Sequence, residues 1–294
     1  MRGRALAAIL FGASLLGFSA IFVKWAVAGG ASIFTVGGYR MLIALPGAAL
    51  LARRAGGFGG GAGRAWAVAA GTALFADLAL WHEAMHRTTA ANATLLVGGL
   101  SPIWVALFSV LSLGARPGWL GWLGQGVGLA GALVLALARG AHGGGAAEGV
   151  SGETLAIIAS FTYAAFTLAM SRARRTLAAP QALFWMSLGC LACFVVVIAV
   201  TRDPLSGYDA RAWASLVGLG VVVQLLAWWI NSWGLGHVDV ATGALALQMQ
   251  QVATLFLAAW LLGEPLRALG LLGAGLLIGG IALVARGGAT AKPR

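Results

Sequence analysis

Apolar residues in this chain run in blocks of about 20, closed at each end by glycine, proline or arginine, and strict apolar–polar alternation is absent. A helix of that length crosses a hydrocarbon core of ~30 Å. Ten such segments are expected, near 5–25, 32–52, 65–86, 90–113, 118–138, 152–171, 179–200, 211–234, 240–262 and 267–285. The connectors between them are short. The longest two, RRAGGFGGGAGR (53–64) and RGAHGGGAAEGVSG (139–152), are glycine-rich and are expected to be flexible.

Composition supports the same reading. The chain is 60% hydrophobic and 9% charged over 294 residues, whereas a soluble domain is usually about 25% charged. An all-α polytopic membrane protein is the expected class. The start, MRGRALAAILFGASLLGF, has the basic-then-apolar order of a signal peptide. We read it as a first span, because nine similar segments follow. Cys190 and Cys193 have C-x-x-C spacing inside one apolar segment with no further Cys or His beside them, and they read as small packing residues.

The net charge of +11 raises the possibility of a nucleic-acid partner. The basic residues instead sit at the ends of the apolar segments, without interleaved aromatics, so no nucleic acid is expected. One set of ends carries Arg2, Arg4, Arg53, Arg54, Arg64, Arg116, Arg172, Arg174, Arg175, Arg286, Lys292 and Arg294, with Asp239 as the one acid. The opposite ends carry Lys24, Arg87, Arg139, Arg202, Arg211 and Arg267, diluted by Glu148, Glu153, Asp203, Asp209 and Glu264. Basic loops stay cytoplasmic. Both termini are therefore expected in the cytoplasm, with the protein multi-pass in the cell inner membrane.

The fifth and tenth segments are related. LGWLGQGVGLAGALVLA (120–136) and LGLLGAGLLIGGIALVA (269–285) match Gly121, Gly124, Gly126 and Gly131 to Gly270, Gly273, Gly275 and Gly280 at a constant offset of 149. The same offset matches Leu113-Gly114 to Leu262-Gly263. This is the signature of a duplication. The expected units are 1–140 and 151–294, five helices each, joined by a glycine-rich linker at 141–150. Five is odd, so matching helices cross in opposite directions. Ten transmembrane helices as two five-helix inverted-topology repeats is an architecture typical of secondary transporters.

With SPIWVALFSVLSLG (101–114) and QVATLFLAAWLLGEPLRALGLLGAGLLIGGIALV (251–284), this arrangement resembles the drug/metabolite transporter superfamily, specifically its EamA-type members. Gly263-Glu264 match the family's helix ending in Gly-Glu before a glycine-rich last helix, and Pro102 matches within the fourth helix. The first half ends Gly114-Ala115-Arg116, without the glutamate, and Gln251 stands where Pro102 aligns. The resemblance implies export of small metabolites by alternating access, and within the family the aromatic amino acid exporters are nearest in kind.

Polar groups inside apolar segments mark candidate binding positions, because an unpartnered amide in hydrocarbon costs roughly 2–7 kcal/mol. Gln248, Gln250 and Gln251 cluster on the ninth segment. Gln248 and Gln251, three apart, share a face. They either line a wet cavity and contact substrate, or bond neighbouring helices. A glutamine cluster beside a helix broken at Pro102 would place polar groups near the midplane on both halves. Arg40 and Asp77 lie deep in the second and third segments, where a charge costs at least ~2.5–3.5 kcal/mol. They either pair with each other or meet a substrate carboxylate and an ammonium or proton. Tyr163, Trp104 and Asn231 add polar tips to an aromatic-rich surround suited to a flat ligand.

HEAMH (82–86) matches the zinc-protease pattern with Glu83 between His82 and His86. It lies at the end of a span without support for a third ligand, so an intramembrane zinc enzyme is the weaker alternative. These side chains read better as the mouth of a pathway. No supported nucleophile–base pair and no P-loop occur, so no enzyme activity, metal or cofactor is expected. The expected partners are the bilayer and a small-molecule substrate, aromatic or other amino acids. Cationic drugs, purines and sugar derivatives are the competing solutes. Reporter fusions at the two termini test the topology: both should be active only when the reporter works in the cytoplasm, and a periplasmic signal at either end overturns ten crossings.

Overall fold

The computed structural model describes residues 2–87, 90–113, 118–140, 151–263 and 265–287. Every regular element among them is helical. In chain order the helices are α1 (Arg2–Ala28), α2 (Ile33–Arg54), α3 (Gly61–Arg87), α4 (Ala90–Leu113), α5 (Trp119–Gly140), α6 (Ser151–Ala173), α7 (Ala179–Thr201), α8 (Ala210–Leu235), α9 (Val240–Leu262) and α10 (Ala268–Gly287). Among the described residues, α1, α2 and α6 to α10 are long and apolar enough to cross a membrane, and Trp119–Val134 is a shorter apolar stretch. The linker 141–150, Arg116 and Glu264 lie outside the described residues.

Local chemistry sets the helix ends. Ser32, Asp209 and Asp239 cap α2, α8 and α9 by accepting from the backbone N–H groups of Thr35, Ala212 and Thr242. Pro180 occupies the first turn of α7, where its missing N–H costs nothing. Gly263 ends α9 in the left-handed region, φ 67°, a conformation a side chain resists.

Among the described residues three helices are irregular, and all three irregularities fall well inside the apolar segments. The first segment is continuous by pattern, yet α1 is interrupted at Gly17. There Ala253 and Thr254 of α9 press so close that a Cβ would lie 2.7 Å from the Ala253 methyl. The Thr254 hydroxyl donates to the Gly17 carbonyl at 3.2 Å. In α8, residues Leu219–Ala227 form a π-helical stretch, a feature frequent at functional sites. In α9 the helix breaks at Gln248. The break expected at Pro102 does not occur, for α4 runs through it. Proline costs the helix one N–H, and the consequence falls on the facing helix, as described below.

The main core joins α1, α2, α3, α6, α7 and α8 around Phe166, Phe194, Met170, Met186 and Leu219. A second cluster joins α9 and α10 through Leu245, Val252, Leu277, Ile281 and Val284, and α5 packs along α10. The repeated glycines account for that contact. A Cβ on Gly124 would lie 2.8 Å from the Gly280 carbonyl, and one on Gly131 would lie 2.7 Å from the Gly273 carbonyl and 2.3 Å from the Leu277 nitrogen. Gly124 is the repeat counterpart of Gly273, and Gly131 of Gly280, so the contact is reciprocal, as across a two-fold axis. Position rises along α5 as it falls along α10. The matched helices therefore run antiparallel, as an inverted repeat requires. Gly126 and its counterpart Gly275 both face open space.

This geometry sorts the glycines by consequence. Gly131→Ala and Gly280→Ala should each lower stability by about 1–3 kcal/mol, because backbone must move to admit the methyl. Gly126→Ala and Gly275→Ala should be neutral or stabilising by up to ~1 kcal/mol, from helix propensity alone. Thermal unfolding of the purified variants reads the contrast, and equal effects at all four sites contradict glycine-mediated packing.

Candidate functional site

Where α2, α3, α6, α7 and α8 meet, the apolar core contains a group of polar side chains. Arg40, 8% exposed, projects from α2. Its Nε donates to Gln224 Oε1 at 2.9 Å, and Nη1 reaches the Ser19 hydroxyl at 3.5 Å. Gln224 lies in the π-helical stretch of α8 and donates in turn to the Ser187 hydroxyl of α7 at 3.1 Å. The guanidinium thus rests on neutral acceptors, in a chain linking α1, α2, α7 and α8. Ser19 follows the Gly17 interruption, so two of the three irregular positions feed this network.

Asp77, on α3, is 5% exposed and near enough to feel the Arg40 charge. A direct ion pair between them, one of the arrangements expected from their depths, does not form: Arg40 turns to Gln224, and Asp77 Oδ1 has no hydrogen-bond partner. The reason lies in α8, whose amide is placed by the widened π turn beside the guanidinium. The unpartnered carboxylate oxygen is costly in so dry a setting and is free to receive a donor.

Tyr163 of α6 lies in the same region. It interacts electrostatically with both Asp77 and Arg40, and its hydroxyl is buried without a partner. Its ring lies 5.7 Å from Phe166, which meets Trp228 edge-on at 5.0 Å. The Trp228 indole N–H and both amide atoms of Asn231 are also buried and unpartnered. Asn231 stands against Gly12 of α1, where a Cβ would lie 2.5 Å from its Oδ1. A carboxylate oxygen, a phenol, an indole N–H and a primary amide therefore all lack partners on α3, α6 and α8. They offer two kinds of acceptor and several donors to a small amphipathic molecule.

The glutamines of α9 form a separate group. Gln251 Nε2 donates to Gln248 Oε1 at 2.6 Å, and Gln248 Nε2 reaches the Ser101 hydroxyl of α4 at 3.5 Å. Both are buried, at 1% and 5% exposure for Gln248 and Gln251. In this conformation they bond each other and α4. Gln251 Nε2 packs so tightly on Gly98 that a Cβ there would lie 2.2 Å away. Gly98 is four residues before Pro102, so its carbonyl is the one that loses a helical donor. The amide that aligns with Pro102 by the repeat thus stands at the backbone position Pro102 disturbs. Trp104 is anchored too: its N–H donates to the Ser160 hydroxyl at 2.9 Å, bridging α4 and α6.

Of the expected positions, the structure brings Arg40, Asp77 and Tyr163 together. Asn231 lies on the neighbouring face of α8, while Gln248, Gln251 and Trp104 lie along α4. Sequence reasoning missed Gln224 and Ser187. Gln224 carried the same signal as the α9 glutamines, a lone amide within VGLGVVVQLLAWW. The His82 and His86 side chains lie outside the described residues. No group of three or more His, Cys, Asp or Glu able to hold a metal occurs among the described ones.

The model of the EamA-like transporter family matches the chain twice, over residues 3–137 and 150–286. No curated protein matches it. One solved crystal structure superposes with a TM-score of 0.80 at 22% identity, over 96% of this chain and 96% of that one, a likeness of fold.

The absence of a direct ion pair has a measurable consequence. Asp77→Asn should leave folded yield nearly unchanged, since no partner is stranded. Arg40→Leu should reduce it, because Gln224 and Ser187 lose their charged anchor, a bond to a charged group being worth about 1.5–3 kcal/mol. Size-exclusion profiles of the two variants check this, and equal losses would indicate mutual pairing.

Proposed function

Because the chain belongs to the EamA-like transporter family, we propose that it is a ten-span inner-membrane secondary transporter that exports amino acids, aromatic ones first, by alternating access. Both termini are cytoplasmic in this reading, and no enzymatic step is involved. The observation that carries it is the group of buried polar atoms without partners beside Phe166 and Trp228. An amino acid is a zwitterion, and an aromatic one adds a flat apolar ring. Asp77 receives the ammonium, Arg40 attracts the carboxylate, and Tyr163, Trp228 and Asn231 supply hydrogen bonds, with the Phe166 and Trp228 rings beside them. Each contact replaces water with a fixed partner in a dry setting, where such bonds discriminate strongly.

The antiparallel repeat provides the mechanism. Two halves with similar packing exchange roles, so states open to either side lie close in energy. The interruptions at Gly17, Leu219–Ala227 and Gln248 are where α1, α8 and α9 bend as the halves rock. Gln248 and Gln251 exchange their mutual bond for substrate when the region between α4 and α9 opens, and Trp104 borders that region.

One observation favours a second reading. Arg40 is engaged by Gln224 while Asp77 Oδ1 is unpartnered, a polarity that suits a cationic solute lacking a carboxylate. Proteoliposomes offered a mixed metabolite pool, read by mass spectrometry, separate the two. Aromatic amino acids should accumulate, and cations alone would favour the second reading. Asp77→Asn should lower amino acid affinity about ten- to a hundredfold, the value of a bond to a buried charge. Gln248→Leu/Gln251→Leu should lower it about five- to a hundredfold with thermal stability held or raised. Lost stability with wild-type transport would make the glutamines purely structural.

A further inference from the structure

The arginine-rich ends of α2, α3 and α6 carry more order than a topology signal requires. Three guanidiniums there lie over aromatic rings: Arg53 over Phe58 at 5.8 Å, Arg64 over Trp185 at 5.3 Å, and Arg172 over Trp66 at 4.7 Å. The rings are themselves fixed. Phe58 packs on Phe184 at 4.6 Å, Phe184 on Trp185 at 5.2 Å, and the Trp185 N–H donates to the Phe58 carbonyl at 2.7 Å. Gln181 secures the loop beneath by donating to the Gly57 carbonyl at 2.9 Å. The three cations therefore form a crescent around the first turns of α3, with α7 on one side and α6 on the other.

None of the three makes a hydrogen bond or an ion pair in the structure. A guanidinium stacked on a ring presents its face to the ring and keeps its N–H edge for an acceptor. Arg174, on the same face, differs: it is consumed by the carbonyls of Ser232 and Leu177. The one acid on this face, Asp239, is occupied by Arg2 at 3.3 Å and by the cap of α9. Among the described residues the crescent thus lacks a counter-ion, at the level where tryptophans mark the membrane–water boundary.

We propose that this crescent is a binding site for the phosphodiester of an anionic phospholipid. Planar N–H forks match phosphate oxygens, and basic pockets between helices at this level bind such headgroups. The aromatic rings hold the guanidiniums in place before the lipid arrives, and the apolar sides of α3 and α6 receive its acyl chains. The site is separate from the polar group among α2, α3 and α8, and it does not depend on what the protein transports.

The test is thermal unfolding of the purified protein in mixed micelles, titrated in parallel with phosphatidylglycerol, cardiolipin, phosphatidylcholine and free inorganic phosphate. The midpoint should rise with the two anionic lipids and not with phosphatidylcholine or phosphate. In Arg64→Gln/Arg172→Gln that difference between anionic and zwitterionic lipid should fall to less than half. In Arg4→Gln/Arg286→Gln, which removes the same charge from exposed positions on the same face, it should persist. Because each variant is compared with itself in two lipids, a lower baseline stability leaves the reading intact. Equal response to phosphatidylcholine, an equal rise with free phosphate, or equal loss in both double variants would overturn the proposal.

Discussion

A hydrogen-bonding group placed in hydrocarbon must find its partner inside the protein, and this constraint organises the molecule. Helices satisfy the backbone. The remaining polar groups are gathered where several helices converge, and each is either tied to a neighbour or held unpartnered in one place. Arg40 is tied, through Gln224, Ser187 and Ser19, to three other helices. Asp77, Tyr163, Trp228 and Asn231 have atoms held unpartnered.

The repeat gives that arrangement its symmetry and its limits. Glycines on α5 and α10 let two backbones meet so closely that the reciprocal contact leaves no room for a methyl. A seam of that kind specifies one register and one relative direction. The irregular positions lie elsewhere, at Gly17, in Leu219–Ala227 and at Gln248. Gly17 and the start of the second part of α9 meet at Thr254, whose hydroxyl lies within hydrogen-bond distance of both the Gly17 and the Gln250 carbonyls.

The repeat is imperfect where function is expected to differ. Pro102 disturbs the backbone of α4, and its counterpart Gln251 stands on α9 against Gly98, the position Pro102 disturbs. One half thus carries the defect and the other the side chain that meets it. The half-to-half asymmetry creates a polar contact between α4 and α9 that two identical halves could not make.

Periodicity, segment length and the placement of arginine determined the helical class and the approximate spans, because hydrocarbon thickness and backbone satisfaction leave few alternatives. The glycine offset determined the duplication and, from an odd helix count, the inversion of one half against the other. The candidate polar residues were legible as costly exceptions in apolar runs. Only the tertiary structure decided which of them meet. Arg40 and Asp77, at similar depth, read as natural ion-pair partners, yet the π-helical stretch of α8 brings Gln224 to the guanidinium first. The break belonged to α9, at Gln248, and α4 runs through Pro102. Depth along a helix is a one-dimensional property that sequence carries. The rotation that chooses a neighbour depends on how five helices pack together, and no single segment contains it.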